Sequence, residues 1–528
     1  MRNPRTKRRG LRPIGSACAL LGLILGLTGP VQGARAEGAP FSIRSHSIRG
    51  VIRQAWPLRV GPCEHAATDL LVLSTEGGPP DETRIATWMP CGTAVSPGAP
   101  SIVERVLAPD TVVVDVARWP GRRGAQLIQV DAVGLRIDAL ASTDPPLRIA
   151  VAGGLPLPPR PWSIARVRIV DDWWGNGVAT ALVPAPRGAW LIDLDDGEAK
   201  PIELPVYASY RTWMPDLPEV EWRWMVSEVQ WPALAWADDD GDGRRDLFAL
   251  SRYAIWVYRT GPDGLASEPD RRMTLVPFDA RAELDHRATA TDYWARDIDG
   301  DGRADLLLTT VGGGLMDGRT STRIHLNTGD GADTARPAEI ERDLEGGFSR
   351  TVFVDVDGDG RTELLETSIE FGVLQIVRFL LTRRAETRVR LLTVDLEVPG
   401  GLRSLFEDDL SFRLDFGGNQ VEGLVPTLGD WNGDGQLDFY VADGDEEIAL
   451  RLGSKAADRP LFGGIVARQS VPLPGGESRI ADLDGDGLDE IVAFSDRDPA
   501  LPLVVLENLG RLPGTRPSLS AIENGAGA

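Results

Sequence analysis

Between its turn residues this chain places apolar positions in short runs rather than at helical spacing. Runs such as Thr351–Val354, Asp305–Thr310 and Glu490–Phe494 are rich in Val, Leu, Ile, Phe and Thr and are bounded by Gly, Asp and Pro. Side chains of that kind suit a pleated, half-buried surface, so the runs read as strands. Further strand signals follow, as at Ile255–Tyr258, Arg323–Asn327 and Val504–Asn508. The pattern predicts about four strands in each unit of roughly 60 residues and no long helix.

An acidic loop punctuates the strands. The motif D-x-[DN]-G-D-G-x-x-[DE] occurs five times, starting at Asp238, Asp297, Asp355, Asp430 and Asp482, at intervals of 59, 58, 75 and 52 residues. The same period extends backwards into worn copies. Asp172-Trp-Trp174-Gly-Asn176-Gly keeps the two glycines, Val112–Asp115 keeps only flanking strands, and Thr68–Leu73 is the tail of a unit beginning near Gly61. Eight units result, three of them without a credible metal loop. About four strands per unit, repeated eight times, predict an all-β fold: a β-propeller with seven or eight four-stranded blades. An N-terminal strand near Ser42–Arg53 is expected to close the ring against the last blade.

The longest uninterrupted apolar run, Ile14–Leu27, belongs to none of these units. It follows a basic segment (Arg2, Arg5, Lys7, Arg8, Arg9, Arg12) and precedes Ala34-Arg35-Ala36, which has the form of a cleavage site. At 14 residues it falls short of the roughly 20 needed to cross a bilayer. Residues 1–36 are therefore expected to be a signal peptide, with export to the periplasm or beyond. The expected divisions are 37–510 for the propeller and 511–528 for a flexible tail, with no membrane span in the mature chain.

Charge then narrows the partners. The 528 residues carry 56 Lys+Arg against 78 Asp+Glu, a net −22, and loss of the leader would take this to about −29. A chain this acidic is unsuited to wrapping nucleic acid, which needs clustered Lys and Arg. Cys63 and Cys91 would remain after processing; a disulfide between them in an oxidising compartment is one expectation, and two buried thiols the other.

The loops carry the candidate chemistry. Carboxylates at positions 1, 3 and 5 converge only if the chain turns sharply, which Gly at 4 and 6 permits. These are Asp238, Asp240 and Asp242; Asp297, Asp299 and Asp301; Asp355, Asp357 and Asp359; Asp430, Asn432 and Asp434; and Asp482, Asp484 and Asp486. Backbone carbonyls at position 7 (Arg244, Arg303, Arg361, Gln436, Leu488) and carboxylates at position 9 (Asp246, Asp305, Glu363, Asp438, Glu490) would complete an oxygen shell. Six to eight hard oxygens suit Ca²⁺ better than Mg²⁺, and zinc would want His or Cys. An empty, water-exposed acidic turn is the alternative. It is disfavoured because two carboxylates 4 Å apart repel by roughly 4 kcal/mol at an effective dielectric of 20. About five Ca²⁺ sites are expected. They are not EF-hands, since position 12 is acidic only at Glu366 and strands, not helices, follow.

Loops of the form D-x-D-G-D-G-x-x-D-L set between strands, with L-x-N-x-G strands after them, resemble the FG-GAP/VCBS repeats of integrin α-subunit-type β-propellers. The likeness covers roughly residues 41–510 and is strongest from 230 onward. It implies metal in a hairpin loop at one rim of the propeller, where it stiffens the loop, and metal-free blades where the N-terminal loops have worn away.

Function is less constrained. G-x-S-x-G, H-E-x-x-H and P-loop motifs are missing, and His46, His65, His286 and His325 show no ligand spacing. No catalytic residue and no organic cofactor is assigned, and an enzyme is the less favoured class. Five of the 15 Trp lie between Trp213 and Trp236, and Val220–Val226 alternates so that Trp222 and Trp224 share a strand face. That pair would stack on a sugar, anchor a protein or pack between blades. Arg383, Arg384, Arg388 and Arg390 lie in the longest unit, where an inserted loop with a solvated face is expected. The chain is expected to be a secreted calcium-stabilised propeller that binds, adheres or scaffolds, with a glycan or extracellular protein as partner. The alternative is a calcium-dependent polysaccharide lyase on an eight-bladed propeller.

Overall fold

A computed structural model describes residues 39–515, apart from 61–66, 79–81, 96–101, 120–121, 152–163, 174–177, 214–223, 276–289, 313–317, 357–360, 371–377, 379–383, 414–426, 443–446, 455–460, 472–476, 497–500 and a few single positions. The predicted signal peptide, Cys63, Trp222 and the loop ligands Asp357 and Asp359 lie outside the described residues. The described elements are antiparallel β-sheets forming an eight-bladed propeller. Blades 1 to 7 span 51–106, 113–150, 170–203, 233–274, 290–345, 347–413 and 427–470. Blade 8 takes three strands from 477–508 and its fourth from Phe41–His46. No helix among the described residues is long and apolar enough to cross a membrane.

The core is divided like the repeat. Eight buried apolar clusters each join two neighbouring blades. The cluster of Ile52, Leu70 and Val72 with Val492, Phe494 and Leu503 joins blade 1 to blade 8 and completes the circle. Second strands such as Asp246–Leu250 and Glu490–Phe494 are buried throughout because both faces meet another blade. Fourth strands such as Val103–Val106 and Leu147–Ala150 alternate between half-buried and exposed, as an outer edge should.

Ring closure mixes the chain ends within one sheet. Phe41 to His46 pair in register with Asn508 to Leu503. Arg44 donates from Nε and Nη2 to the two oxygens of Glu507 at 2.8 and 2.9 Å, and Ser42 Oγ donates to the same carboxylate at 2.6 Å. Phe41 is 2% exposed and meets Trp431 edge-on at 6.0 Å. Phe41→Ala should therefore cost roughly 3 kcal/mol through the cavity it leaves at the seam. Chemical denaturation would measure it, and a loss below about 1 kcal/mol would show that the seam does not depend on this ring.

Three departures from the regular ring matter. Blade 2 gains a short fifth strand, Ala165–Arg166, parallel to Val113–Ala117. The hairpin Tyr207–Trp213 with Trp224–Gln230 forms a two-stranded sheet of its own between blades 3 and 4, with Trp213 opposite Trp224 in the register. Blade 6 lengthens its outer strands to Arg384–Val394 and Leu402–Arg413. There Arg390 does not lie on a solvated face as expected: it pairs with the buried Glu366 at 3.2 Å, and Arg388 pairs with Asp409 at 3.1 Å.

Candidate metal loops

Each acidic loop joins the first and second strands of its blade, and four are described closely enough to compare. In all four, glycines at positions 4 and 6 hold positive φ, from +68° at Gly433 to +88° at Gly487. Most side chains avoid that region, so the motif spends its glycines where the chain turns. The position-1 carboxylate bridges the turn. Asp297 accepts from Gly300 N at 2.8 Å and from Gly302 N at 3.0 Å, and Asp482 accepts from Gly485 N at 2.6 Å and from Gly487 N at 3.1 Å. Asp238 holds the corresponding amides of its loop, and Asp430 accepts from Asp434 N and Gly435 N. Position 5 accepts from the position-7 amide each time: Asp242, Asp301, Asp434 and Asp486 from Arg244, Arg303, Gln436 and Leu488 at 2.8 to 2.9 Å.

This backbone brings acidic groups together. Carboxylates of Asp238, Asp240 and Asp246 converge within 4.8 Å, as do those of Asp297, Asp299 and Asp305 and of Asp482, Asp484 and Glu490. Blade 7 repeats the hydrogen-bond geometry with Asn432 at position 3. In blade 6, Asp355, Arg361 and Glu363 are described and the two central ligands are not. The donor set is oxygen throughout, which suits a hard divalent cation.

Position 9 has a second task that the motif alone conceals. Asp246, Asp305, Asp438 and Glu490 are at most 1% exposed, and Glu363 6%. In every loop this side chain accepts the position-2 amide: Asp239 N, Ile298 N, Val356 N, Trp431 N or Leu483 N, at 2.7 to 3.0 Å. The aspartates use their other oxygen for the end of the third strand, at Thr260 N, Asn327 N and Gly453 N. Each carboxylate thus ties its loop to two strands.

Burial sets their protonation. It pushes Asp246 up to about 6, Asp305 and Asp438 to about 7 and Glu490 to about 10; backbone donors oppose the shift, while neighbouring loop carboxylates add to it. Without a cation these groups bind protons more tightly folded than unfolded. Their contribution to stability is then full below pH 4 and lost as pH rises through 6 and 7 for the aspartates and through about 10 for Glu490. Metal-free protein should melt at higher temperature at pH 5 than at pH 8, and saturating calcium should remove or reverse that trend. Calorimetry across that range, with and without chelator, is the check; a metal-free melting temperature that rises with pH would refute it.

The worn blades satisfy the same position without a metal loop. Asp69 in blade 1 is fully buried and accepts from Cys91 N at 3.0 Å. Cys91 is disulfide-bonded, and it is the only cysteine among the described residues. Blade 2 has Gln126, whose Nε2 donates to the carbonyls of Arg123 and Gly124 at 2.9 and 3.2 Å. A neutral amide there crosses the turn with no charge to compensate. Asp115 is buried among the amides of Ile169 and Val170 and the guanidinium of Arg166, which makes it a strut between blades 2 and 3.

Other polar groups at this rim were not foreseen from the motif. Asn327, of the L-x-N-x-G strand, donates from Nδ2 to Asp239 O of blade 4 at 2.8 Å and accepts from Gly329 N and Gly331 N at 3.0 Å. Asn508 repeats this between blades 8 and 7, reaching Trp431 O at 2.9 Å. Asp239, an unremarked position 2, is fully buried between Arg259 and Arg271.

Residues 297–366 match the FG-GAP-like repeat. That stretch contains the blade-5 and blade-6 loops, and together with the eight-bladed ring around it the match fits an FG-GAP repeat propeller. No curated protein matches the sequence. Among solved structures it is similar to an Agrocybe aegerita lectin described as recognising non-reducing terminal N-acetylglucosamine. That match has 13% identity and a TM-score of 0.39, covering 89% of this chain and 98% of the other. It is also similar to the V. cholerae biofilm matrix protein Bap1, at 11% identity and a TM-score of 0.39, covering 88% of each chain. At those scores neither likeness bears on function.

Proposed function

We propose that this protein is a secreted or periplasmic propeller whose blades 4 to 8 are stiffened by about five Ca²⁺ ions, and that it works as a binding, adhesion or scaffold module. The observation behind the calcium is the convergence of three carboxylates within 4.8 Å in loops of one repeated geometry. Calcium would neutralise carboxylates that burial and crowding otherwise drive towards protonation. The loop side chains orient the turn and supply oxygens; positions 1, 3, 5 and 9 with the position-7 carbonyl would hold the ion.

The setting of the acidic groups supports a binding role over catalysis at these loops. In the three convergent clusters each carboxylate also accepts backbone amides of its own loop, which fits a rigid frame better than a site of proton transfer. A glycan or an extracellular protein is the proposed partner. Elemental analysis and calorimetric titration of chelated protein test the metal: about five equivalents of calcium are expected, and no bound metal with no heat would reject it. Glycan-array binding without product formation would support the module. Unsaturated sugar products absorbing in the ultraviolet would instead favour a polysaccharide lyase.

A further inference from the structure

The acidic loops do not stand alone: each is gripped by the blade that follows it. A Cβ placed on Gly241 in the blade-4 loop would stand 2.8 Å from Nε of Arg303, the position-7 residue of blade 5. One on Gly300 in blade 5 would stand 3.3 Å from Cγ of Arg361, position 7 of blade 6. One on Gly433 in blade 7 would stand 3.0 Å from Cδ2 of Leu488, position 7 of blade 8. Three side chains, two cationic and one apolar, thus cover the position-4 glycine of the preceding loop.

The backbone beside them makes a matching link. Ala304 N donates to Asp238 O at 2.7 Å, and Asp489 N donates to Asp430 O at 3.0 Å. In each pair the position-8 amide of one blade meets the position-1 carbonyl of the blade before. Leu437 N of blade 7 reaches Val356 O of blade 6 at 2.9 Å. Blade 1 has no acidic loop of its own, yet Thr68 N and Gly92 N hold Asp482 O and Leu483 O of blade 8 at 2.9 and 2.8 Å. The series begins at blade 4, where Arg244 turns back onto Asp242 of its own loop.

We propose that position 7 is a clamp between blades, laid by each blade on the one before it, which couples the ordering of an acidic loop to that of the preceding loop from blade 8 to blade 4. The loading half of this inference rests on the calcium reading above; the clamp itself does not. One residue links two loops: its carbonyl is the expected ligand in its own loop, while its side chain and the following amide lie on the neighbour. Fixing Arg303 therefore fixes the turn at Gly241. Blade 1 keeps this contact at Thr68 because the blade-8 loop needs a clamp, which accounts for a worn unit that has lost the D-x-D-G-D-G loop but not that contact.

Two substitutions separate the halves, read by local hydrogen exchange. Arg303→Ala keeps every expected ligand atom of blade 5, including its own carbonyl. It should speed exchange of amides 241–244 by roughly threefold or more, even in chelator, and leave 485–488 unchanged. Unchanged exchange at 241–244 overturns the clamp. Asp301→Ala removes a ligand from blade 5. With calcium it should speed exchange in loop 238–246 but not in 430–438, and add nothing further on top of Arg303→Ala. If calcium still fills the other sites while 238–246 does not respond, transmission between loops is overturned and the calcium reading stands. If no calcium binds to the unsubstituted protein, the calcium reading and the loading half fall together, and the clamp is judged by Arg303→Ala alone.

Discussion

Stripping the protein with a chelator should lower its melting temperature and loosen blades 4 to 8 before blades 1 to 3. A ligand that binds the folded loop far better than the unfolded chain stabilises by RT ln(1+[Ca]/Kd), about 2.7 kcal/mol per site at a hundredfold excess over Kd. Even with partial additivity, five such sites would be comparable to the whole stability of a typical domain, roughly 5–15 kcal/mol. The loss should be uneven because the loops are uneven. Residues 238–246, 297–305 and 482–490 bring three carboxylates within 4.8 Å, whereas blade 2 crosses its turn with the neutral Gln126. Hydrogen exchange should therefore rise in 238–490 while 69–139 stays protected. An unchanged melting temperature, together with no metal by elemental analysis, would end the calcium reading.

Much of this architecture could be read from residues, and the reason is steric. A turn through two left-handed positions admits little but glycine, and carboxylates that must converge have to sit at fixed offsets. The period of Asp238, Asp297, Asp355, Asp430 and Asp482 therefore survives in the sequence. The strands were legible because second strands such as Glu490–Phe494 are buried on both faces and become continuous apolar runs. Closure by Phe41–His46 falls at the N-terminal edge of the segment expected to supply it.

What the sequence hid depends on the register between blades. Nothing local to Arg303 reveals that its side chain lies over Gly241, some 60 residues earlier. Asn327 showed its place in a strand motif but not its bond to Asp239 O, which exists only once blades 4 and 5 are packed. The pairing of Arg390 with Glu366 was hidden for a related reason: it depends on the register between the second and third strands of blade 6, across the long connection of that unit. Position 9 was hidden differently. A buried carboxylate that caps amides and one that only binds metal are the same letter.

That ambiguity has a sharp experimental resolution at Asp305. Its Oδ2 accepts from Ile298 N at 2.8 Å and its Oδ1 from Asn327 N at 2.8 Å, in a fully buried setting. Asp305→Ala leaves both amides without that acceptor, and each buried, unsatisfied donor costs about 1–3 kcal/mol. A loss of roughly 2–5 kcal/mol is expected already in chelator, and a larger one in calcium, where a ligand is removed as well. Asp305→Asn should fall between, since its amide oxygen can serve one donor while its NH₂ faces the other. Asp301 supplies the contrast: it is exposed, and in its loop its amide donates to Asp299 while its carboxylate accepts from Arg303 N, so Asp301→Ala should cost under about 1 kcal/mol in chelator and more only with calcium present. Denaturant titration of the three variants at pH 8, with and without chelator, would decide. Should Asp305→Ala lose stability only in the calcium-loaded protein, position 9 is a ligand and nothing more, and the two backbone bonds contribute little to holding the loop against its strands.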